Sequence, residues 1–295
     1  MPDLLSWRLF GRRFQESIQQ QSASTCCSLR PVSAIGPSQI LYCTVYSYTC
    51  LLPFLSLGDK VYCPLETELK RRRKQLAAAA FYDLEGTLVS TNLVHTLGFY
   101  ARNQPNLVRS FTKSAATLLS VPLFAVSDQY SRKVFNDLFF KRYKGETEDR
   151  MRFFADDLFE EVLKPAVYPG AFELIEKSRS LGLRQVVVTG ALDFSVKPLM
   201  EYLEITDYVA NRLEFVKGVA TGRLLPPVLA AATKASWIRT FAEREGLSLS
   251  ESFAYSDSIS DLPMLSIVGH PAAVNPDLRL RQTALHHDWP ILNLK

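Results

Sequence analysis

From residue 76 onward, short apolar runs alternate with longer stretches of helical periodicity. AAAAFYD (77–83), LRQVVVTG (183–190), SFAYSDS (252–258) and PAAVN (271–275) each read as a buried strand, and each ends on a polar residue or glycine. Between and after them, AFELIEKSRSLG, DFSVKPLMEYLEI, TKASWIRTFAEREG and SDLPMLSIVG carry helical spacing, and Asp193 reads as the cap of the second of these helices. Strands alternating with amphipathic helices predict an α/β fold with a Rossmann-like parallel sheet core, and such sheets bind ligands beyond the carboxyl ends of their strands. Four segments with helical spacing separate the first strand from the second: NLVHTLGFYARNQ, NLVRSFTKSAATLLSVPLFAV, SRKVFNDLFFKRY and TEDRMRFFADDLFEEVL. A connection that long with helices of its own predicts a helical cap over residues 91–164, inserted after the first strand, with core residues 75–90 and 165–295 on either side of it. Within this cap, the apolar stretch Ala115–Val126 is expected to be buried in the helix bundle.

Composition divides the chain at the start of this pattern. Through Lys74 there are ten Lys/Arg against five Asp/Glu, a net of +5; the whole chain has 34 against 30, so the remainder carries 24 against 25, a net of −1. The basic character therefore belongs to an N-terminal extension, residues 1–74, and says little about what the main domain binds. All five cysteines (Cys26, Cys27, Cys43, Cys50 and Cys63) lie there too, without paired zinc spacing, and the main domain fits a reducing compartment. Residues 1–30 are Arg-bearing, rich in Ser and Gln, and poor in acids, which suits an organellar (plastid or mitochondrial) transit peptide or an unstructured tail of a cytoplasmic or membrane-associated protein. Residues 31–58 carry no charge and form a weak candidate for membrane association, weakened by Pro53 and by hydroxyl side chains. The basic run Lys70–Lys74 follows; without an accompanying aromatic–basic groove pattern, it gives no indication of nucleic-acid binding.

The strand ends carry the chemistry. Asp83-Leu84-Glu85-Gly86-Thr87, Thr189 followed by Gly190, Lys234 near the start of a helix, and Ser256-Asp257-Ser258-Ile259-Ser260-Asp261 stand in that order. Together they resemble the four motifs of the haloacid dehalogenase (HAD) superfamily, and the cap after the first motif resembles the helical C1 cap of its phosphoserine-phosphatase-like subgroup. The likeness runs from about Ala78 to Lys295, and the tail from His270 resembles this subgroup's closing strand and helix. The resemblance implies a Mg²⁺-dependent phosphatase acting on a small phosphorylated substrate. Asp83 would be the nucleophile and Glu85 the general acid and base. Asp83, the backbone carbonyl of Glu85, and Asp257 would hold the metal, with Asp261 in support. Thr87, Thr189, Gly190 and Lys234 would bind the phosphoryl oxygens, Lys234 also stabilising transition-state charge.

The family norm at position 85 is Asp, and Glu adds one methylene, displacing the proton donor. The Asp-Leu-Glu-Gly-Thr form also resembles the HAD-like domain of plant glycerol-3-phosphate acyltransferases, although no acyltransferase domain is expected in a chain ending at Lys295. This substitution opens the alternative of a catalytically weak HAD-like module that binds a phosphorylated ligand or serves membrane lipid metabolism. His95, His270, His286 and His287 show no metal spacing. Arg102, Arg109, Lys113, Arg132 and Lys133 are candidates for reading the anionic end of a substrate, though most are expected to be solvated. The oligomeric state and the particular phosphate ester are not encoded in any motif found.

Overall fold

The computed structural model describes residues 77–295 and, before them, two short antiparallel pairs: β1 (Cys43–Val45) with β2 (Tyr48–Cys50), and β3 (Ser56–Leu57) with β4 (Lys60–Val61). The transit-like stretch 1–30 and the basic run 70–74 lie outside the described residues, as does most of the uncharged segment 31–58. Among the described residues, no helix is long and apolar enough to cross a membrane.

Residues 77–295 are built on a seven-stranded sheet in the order β11-β10-β9-β5-β6-β7-β8. At its centre is β5 (Ala79–Tyr82), flanked by β6 (Arg184–Leu192) and β9 (Phe253–Ser256); beyond β9 lie β10 (His270–Val274) and β11 (Ile291–Leu292). These strands are parallel, with Phe81 opposite both Val186 and Ala254. As a central strand in a parallel sheet, β5 is covered on both faces, and for this reason it reads as an unbroken apolar run whose four residues are all buried. On one face Ile238 and Phe241 of α8 (Ala232–Glu245) and Leu280 of α10 (Leu278–His286) join one core cluster with Phe81, Val186 and Val188 of the sheet.

Two features depart from the sequence expectation. After α6 (Pro169–Ser180), β6 and α7 (Asp193–Tyr202), β7 (Asp207–Val216) pairs parallel to β6, then folds back antiparallel on β8 (Val219–Leu225). This hairpin is charged and only partly buried, so it carries no continuous apolar signal. Asp193 is also not the cap of α7: Leu192 takes that position, and the Asp193 carboxylate accepts from the Phe194 N–H at 2.8 Å in the first turn.

The cap comprises α1 (Leu93–Arg102), α2 (Leu107–Tyr130), α3 (Arg132–Phe140), and the short α4 (Glu148–Phe153) and α5 (Ala155–Leu158), the last continuing into a π-helical turn, Phe159–Leu163. The predicted single helix over 147–163 is thus broken into three pieces. Asn92 and Asn106 cap α1 and α2 through their side-chain oxygens, and the His95 ring accepts from the Asn92 N–H in return. An aromatic cluster of Phe124, Phe135, Phe139, Phe140, Tyr143 and Tyr100 fills the cap interior, with neighbouring ring centroids 5.1–6.2 Å apart.

Two fastenings join cap and core. At the neck, Val89 bridges Val167, the Ser90 N–H donates to the Ala166 carbonyl (2.8 Å), and the Tyr168 N–H donates to the Leu88 carbonyl (3.0 Å). At the far side, the cap segment 145–148 pairs with the β7–β8 hairpin: Gly145 N–H to Ala220 O, Ala220 N–H to Glu146 O, and Glu148 N–H to Gly218 O, all 2.8–2.9 Å. Gly222 makes this approach possible. Its φ is +81°, and a Cβ there would stand 3.0 Å from the Cα of Lys141.

The expected burial of Ala115–Val126 is overturned. On α2 the inward positions are Thr117, Ser120, Phe124 and Ser127, whereas Leu118, Leu119, Leu123 and Val126 are exposed. Polar inward positions are tolerated because their hydroxyls bond locally, Ser120 to the Ala116 carbonyl and Ser127 to that of Phe124. Phe124→Ala should therefore cost about 3–5 kcal/mol in urea unfolding, while Leu119→Ala should stay within about 0.5 kcal/mol. Equal costs would contradict this orientation of α2.

Candidate active site

In chain order the sheet grows from β5 to β6, β7 and β8 on one side, then returns to β9 on the other, so the carboxyl ends of β5 and β9 flank the crevice where such sheets bind ligands. Asp83 follows β5 directly, and its N–H donates to the Tyr255 carbonyl at 2.9 Å, tying the two strand ends together. Asp257 follows β9. The loop after β5 turns at Gly86 with φ +78°, and a Cβ there would lie 2.1 Å from Asp257 Oδ2. Only glycine permits both the turn and the approach of that carboxylate. Fully buried Thr87 directs its hydroxyl at Asp257 Oδ1, 3.4 Å away.

Lys234, the third residue of α8, reaches into the same crevice from the opposite side. Its Nζ donates to Asp83 Oδ1 at 2.6 Å and to Asp261 Oδ2 at 2.9 Å, and all three side chains are at least nine-tenths buried. Ser256 Oγ also donates to Asp261 Oδ2 (2.9 Å). Asp261 occupies the capping position of the one-turn α9 (Leu262–Leu265), but its carboxylate makes no capping bond and serves Lys234 instead. Glu85 stands beside Asp83, and its Oε2 accepts from Thr189 Oγ1 at 2.8 Å; that hydroxyl in turn accepts from the Ala191 N–H. Thr189 lies within β6, which runs on to Leu192, so it caps no helix.

All the predicted site residues therefore gather at one edge: Asp83, Glu85, Thr87, Thr189, Gly190, Lys234, Asp257 and Asp261. Of the cap cations, Arg102 pairs with Glu161, Lys113 with buried Glu146, and Arg109 donates to the Gly145 carbonyl (3.4 Å). Their contacts belong to the cap.

Three residues were not anticipated. Buried Asn211, on β7, donates to the Gly190 carbonyl (2.8 Å) and accepts from the Leu229 N–H (2.7 Å), clamping the Thr189–Gly190 strand end to the loop that leads into α8. Asn275 donates to the Gly86 carbonyl (3.4 Å) while accepting from the Leu294 N–H (3.0 Å). Asp277 donates its N–H to the Asp257 carbonyl (2.8 Å), accepts from Ile259 N–H, and caps α10. The polar residues closing PAAVNPD were the available signal for the last two; Asn211 lay on the unpredicted hairpin.

The electrostatics follow from the census. Four carboxylates (Asp83, Glu85, Asp257 and Asp261) share one ammonium. Burial pushes the Asp83 carboxyl well above its usual range; Lys234 opposes this, and Asp261, Glu85 and Asp257 reinforce it. Burial, with Asp261 adding to it, likewise pushes Asp257 up to about 7. For Lys234, burial favours the neutral amine, but Asp261 and Asp83 outweigh it and hold the ammonium charged. The excess of buried negative charge suits a cation. Among the described residues no three carboxylate, imidazole or thiol groups form a cage for a metal. A hard cation held by two carboxylates, a backbone carbonyl and water fits this donor set, as Mg²⁺ does and a four-ligand Zn²⁺ site does not.

Residues 80–266 match the model of the haloacid dehalogenase-like hydrolase family. The chain is 30% identical over 228 residues to a phosphoserine phosphatase of Mycobacterium tuberculosis, covering 75% of this chain and 72% of that one. Among solved structures, a Bordetella pertussis protein of unknown function superposes with a TM-score of 0.66 at 20% identity (75% and 100% of the two chains). A phosphoserine phosphatase solved as a phospho-aspartyl intermediate analogue superposes at 0.56 and 19% identity (75% and 94%), which establishes the shared fold. The chain therefore belongs to the haloacid dehalogenase-like hydrolases, and within them it is a phosphomonoesterase-type enzyme of the phosphoserine-phosphatase-like subgroup.

Removing the only cation of the cluster should be severe. Lys234→Met leaves buried carboxylates uncompensated and should cost about 3–5 kcal/mol by denaturant unfolding without added metal; a loss below about 1 kcal/mol would mean the ion pairs are not formed in solution.

Proposed function

We propose that the chain is a Mg²⁺-dependent phosphatase that hydrolyses a small phosphomonoester through an aspartyl-phosphate on Asp83. The observation that carries this reading is the buried bridge from Lys234 to both Asp83 and Asp261, set among four carboxylates at the carboxyl ends of β5 and β9. Asp83 would hold the cation together with Asp257 and the Glu85 carbonyl, Asp261 supporting from beside Lys234. Bound there, Mg²⁺ would offset the carboxylate charge that otherwise repels a phosphate dianion. An Asp83 oxygen attacks phosphorus in line, the ester oxygen leaves, and Glu85 supplies its proton. The same carboxylate then takes a proton from the water that attacks the acyl phosphate, releasing inorganic phosphate and restoring Asp83. Lys234, Thr189 and the Gly190 amide stabilise the charge on the equatorial oxygens, and Thr87 steadies Asp257. Before substrate arrives, Thr189 gives its hydroxyl hydrogen to Glu85, so phosphate binding must draw that donor away.

This Glu85–Thr189 bond also supports the second reading, a catalytically weak binder: a glutamate held by Thr189 is not free to protonate a leaving group. Release of phosphate from an aryl phosphate with Mg²⁺ separates the two. Activity that disappears in Asp83→Asn and falls about 10²–10⁴-fold in Glu85→Gln supports the phosphatase. A silent wild type that Glu85→Asp awakens supports the binder. Phosphoserine, the substrate named for the M. tuberculosis relative, is the first metabolite to try.

The metal has a readout separate from turnover. At a hundredfold excess over its dissociation constant, Mg²⁺ should stabilise the protein by about 2.7 kcal/mol, raising Tm by roughly 5–10 °C for a unit of this size. Asp257→Asn should raise the metal-free Tm by relieving the crowding of anions, and should remove most of the Mg²⁺ response. An unchanged response would exclude Asp257 as a ligand.

A further inference from the structure

The outward face of α2 is apolar where a surface helix is ordinarily polar. Leu107, Val108, Phe111, Leu118, Leu119 and Val126 recur at helical spacing along it, with Leu107 89%, Phe111 76% and Leu119 81% exposed. The hydroxyl side chains Thr117, Ser120 and Ser127 face the interior. At 1.5 Å per residue the 24-residue helix is about 36 Å long, and its exposed apolar positions extend over most of that length. Beside this face, a cavity of about 390 Å³ opens between α1 and α2, its wall combining Val94, Phe99, Leu118 and Val121 with the polar His95 and Arg102. Contiguous exposed apolar surface of this kind marks an interaction site.

Charge identifies what covers it. No acidic residue occurs from Leu107 to Ser127, where Arg109 and Lys113 are the only ionisable side chains. Exposed Arg109, Lys141, Arg142 and Lys144 flank the helix, Arg109 reaching the Gly145 carbonyl and Arg142 the Ser120 hydroxyl. Glu146 is buried and already engaged by Lys113 and Arg150. A second copy of the chain set against this face would bring the same exposed arginines and lysines with it. An anionic bilayer surface offers both partners, acyl chains for the leucines and phenylalanine and headgroup charge for the arginines and lysines.

We propose that the outer face of α2 docks the cap onto an anionic lipid surface, with the helix lying in the interfacial plane. This holds whether or not Asp83 turns over, and it brings any substrate displayed at the bilayer close to the cap.

The test is co-sedimentation of the full chain with vesicles of phosphatidylcholine alone and with 30% phosphatidylglycerol. Phe111→Glu and Leu119→Glu are tested separately, with hydrolysis of a soluble aryl phosphate and the thermal melt as folding controls. We expect binding to the anionic vesicles that falls steeply with salt, and at least a tenfold weaker partition for each variant with its melt unchanged. Retained binding in both variants would assign the lipid contact to another part of the chain and overturn the proposal. So would absence of the wild type from the vesicle pellet, or a wild-type dimer that the variants dissociate without any lipid binding.

Discussion

Everything at the catalytic edge is organised by an imbalance: four carboxylates are drawn into one crevice, and a single ammonium answers them. Lys234 can satisfy two, Asp83 and Asp261, and its own burial would be untenable without both. The rest of the charge is relieved by a readiness to take up protons, since burial pushes both Asp83 and Asp257 up, while backbone hydrogen bonds fix where each acid sits. Asp83 is held by the Tyr255 carbonyl, and Asp257 by the Asp277 amide and the turn at Gly86. An apolar core that packed as well without these acids would be more stable, so their presence is better explained by a ligand than by the fold.

Glu85 shows how one methylene redistributes a site. The side chain bonds to Thr189, a residue of the next strand, and couples the proposed proton donor to a hydroxyl proposed to bind the phosphoryl oxygens. On the proposed mechanism, a phosphoryl group that takes the Thr189 hydroxyl draws it away from Glu85.

Legibility in the sequence followed burial. β5, β6 and β9 are shielded on both faces, so their apolar runs and polar ends could be read directly, and with them the positions of Asp83, Thr189 and Asp257. Lys234 was legible as a cation in the first turn of a helix, where the dipole disfavours it. The β7–β8 hairpin was not, since a half-exposed antiparallel pair carries charges along its length, and Asn211 was lost with it. In α2 the helix was read correctly, but its apolar stretch Ala115–Val126 was expected inside the cap, where the structure exposes Leu118, Leu119, Leu123 and Val126. Period fixes which residues share a face; it does not say whether that face meets protein or something else.

The pairing of residues 145–148 with the β7–β8 hairpin bears on how such a chain can diversify. A cap joined to its core only at a two-strand neck can be exchanged as a cassette, since nothing else recognises it. Here the far side of the cap continues the hydrogen bonding of the core, and Gly222 is shaped to the backbone at Lys141. The segment 91–164 and the hairpin 207–225 are distant in sequence, yet a change of length or register in either would break these three hydrogen bonds and the close approach at Gly222.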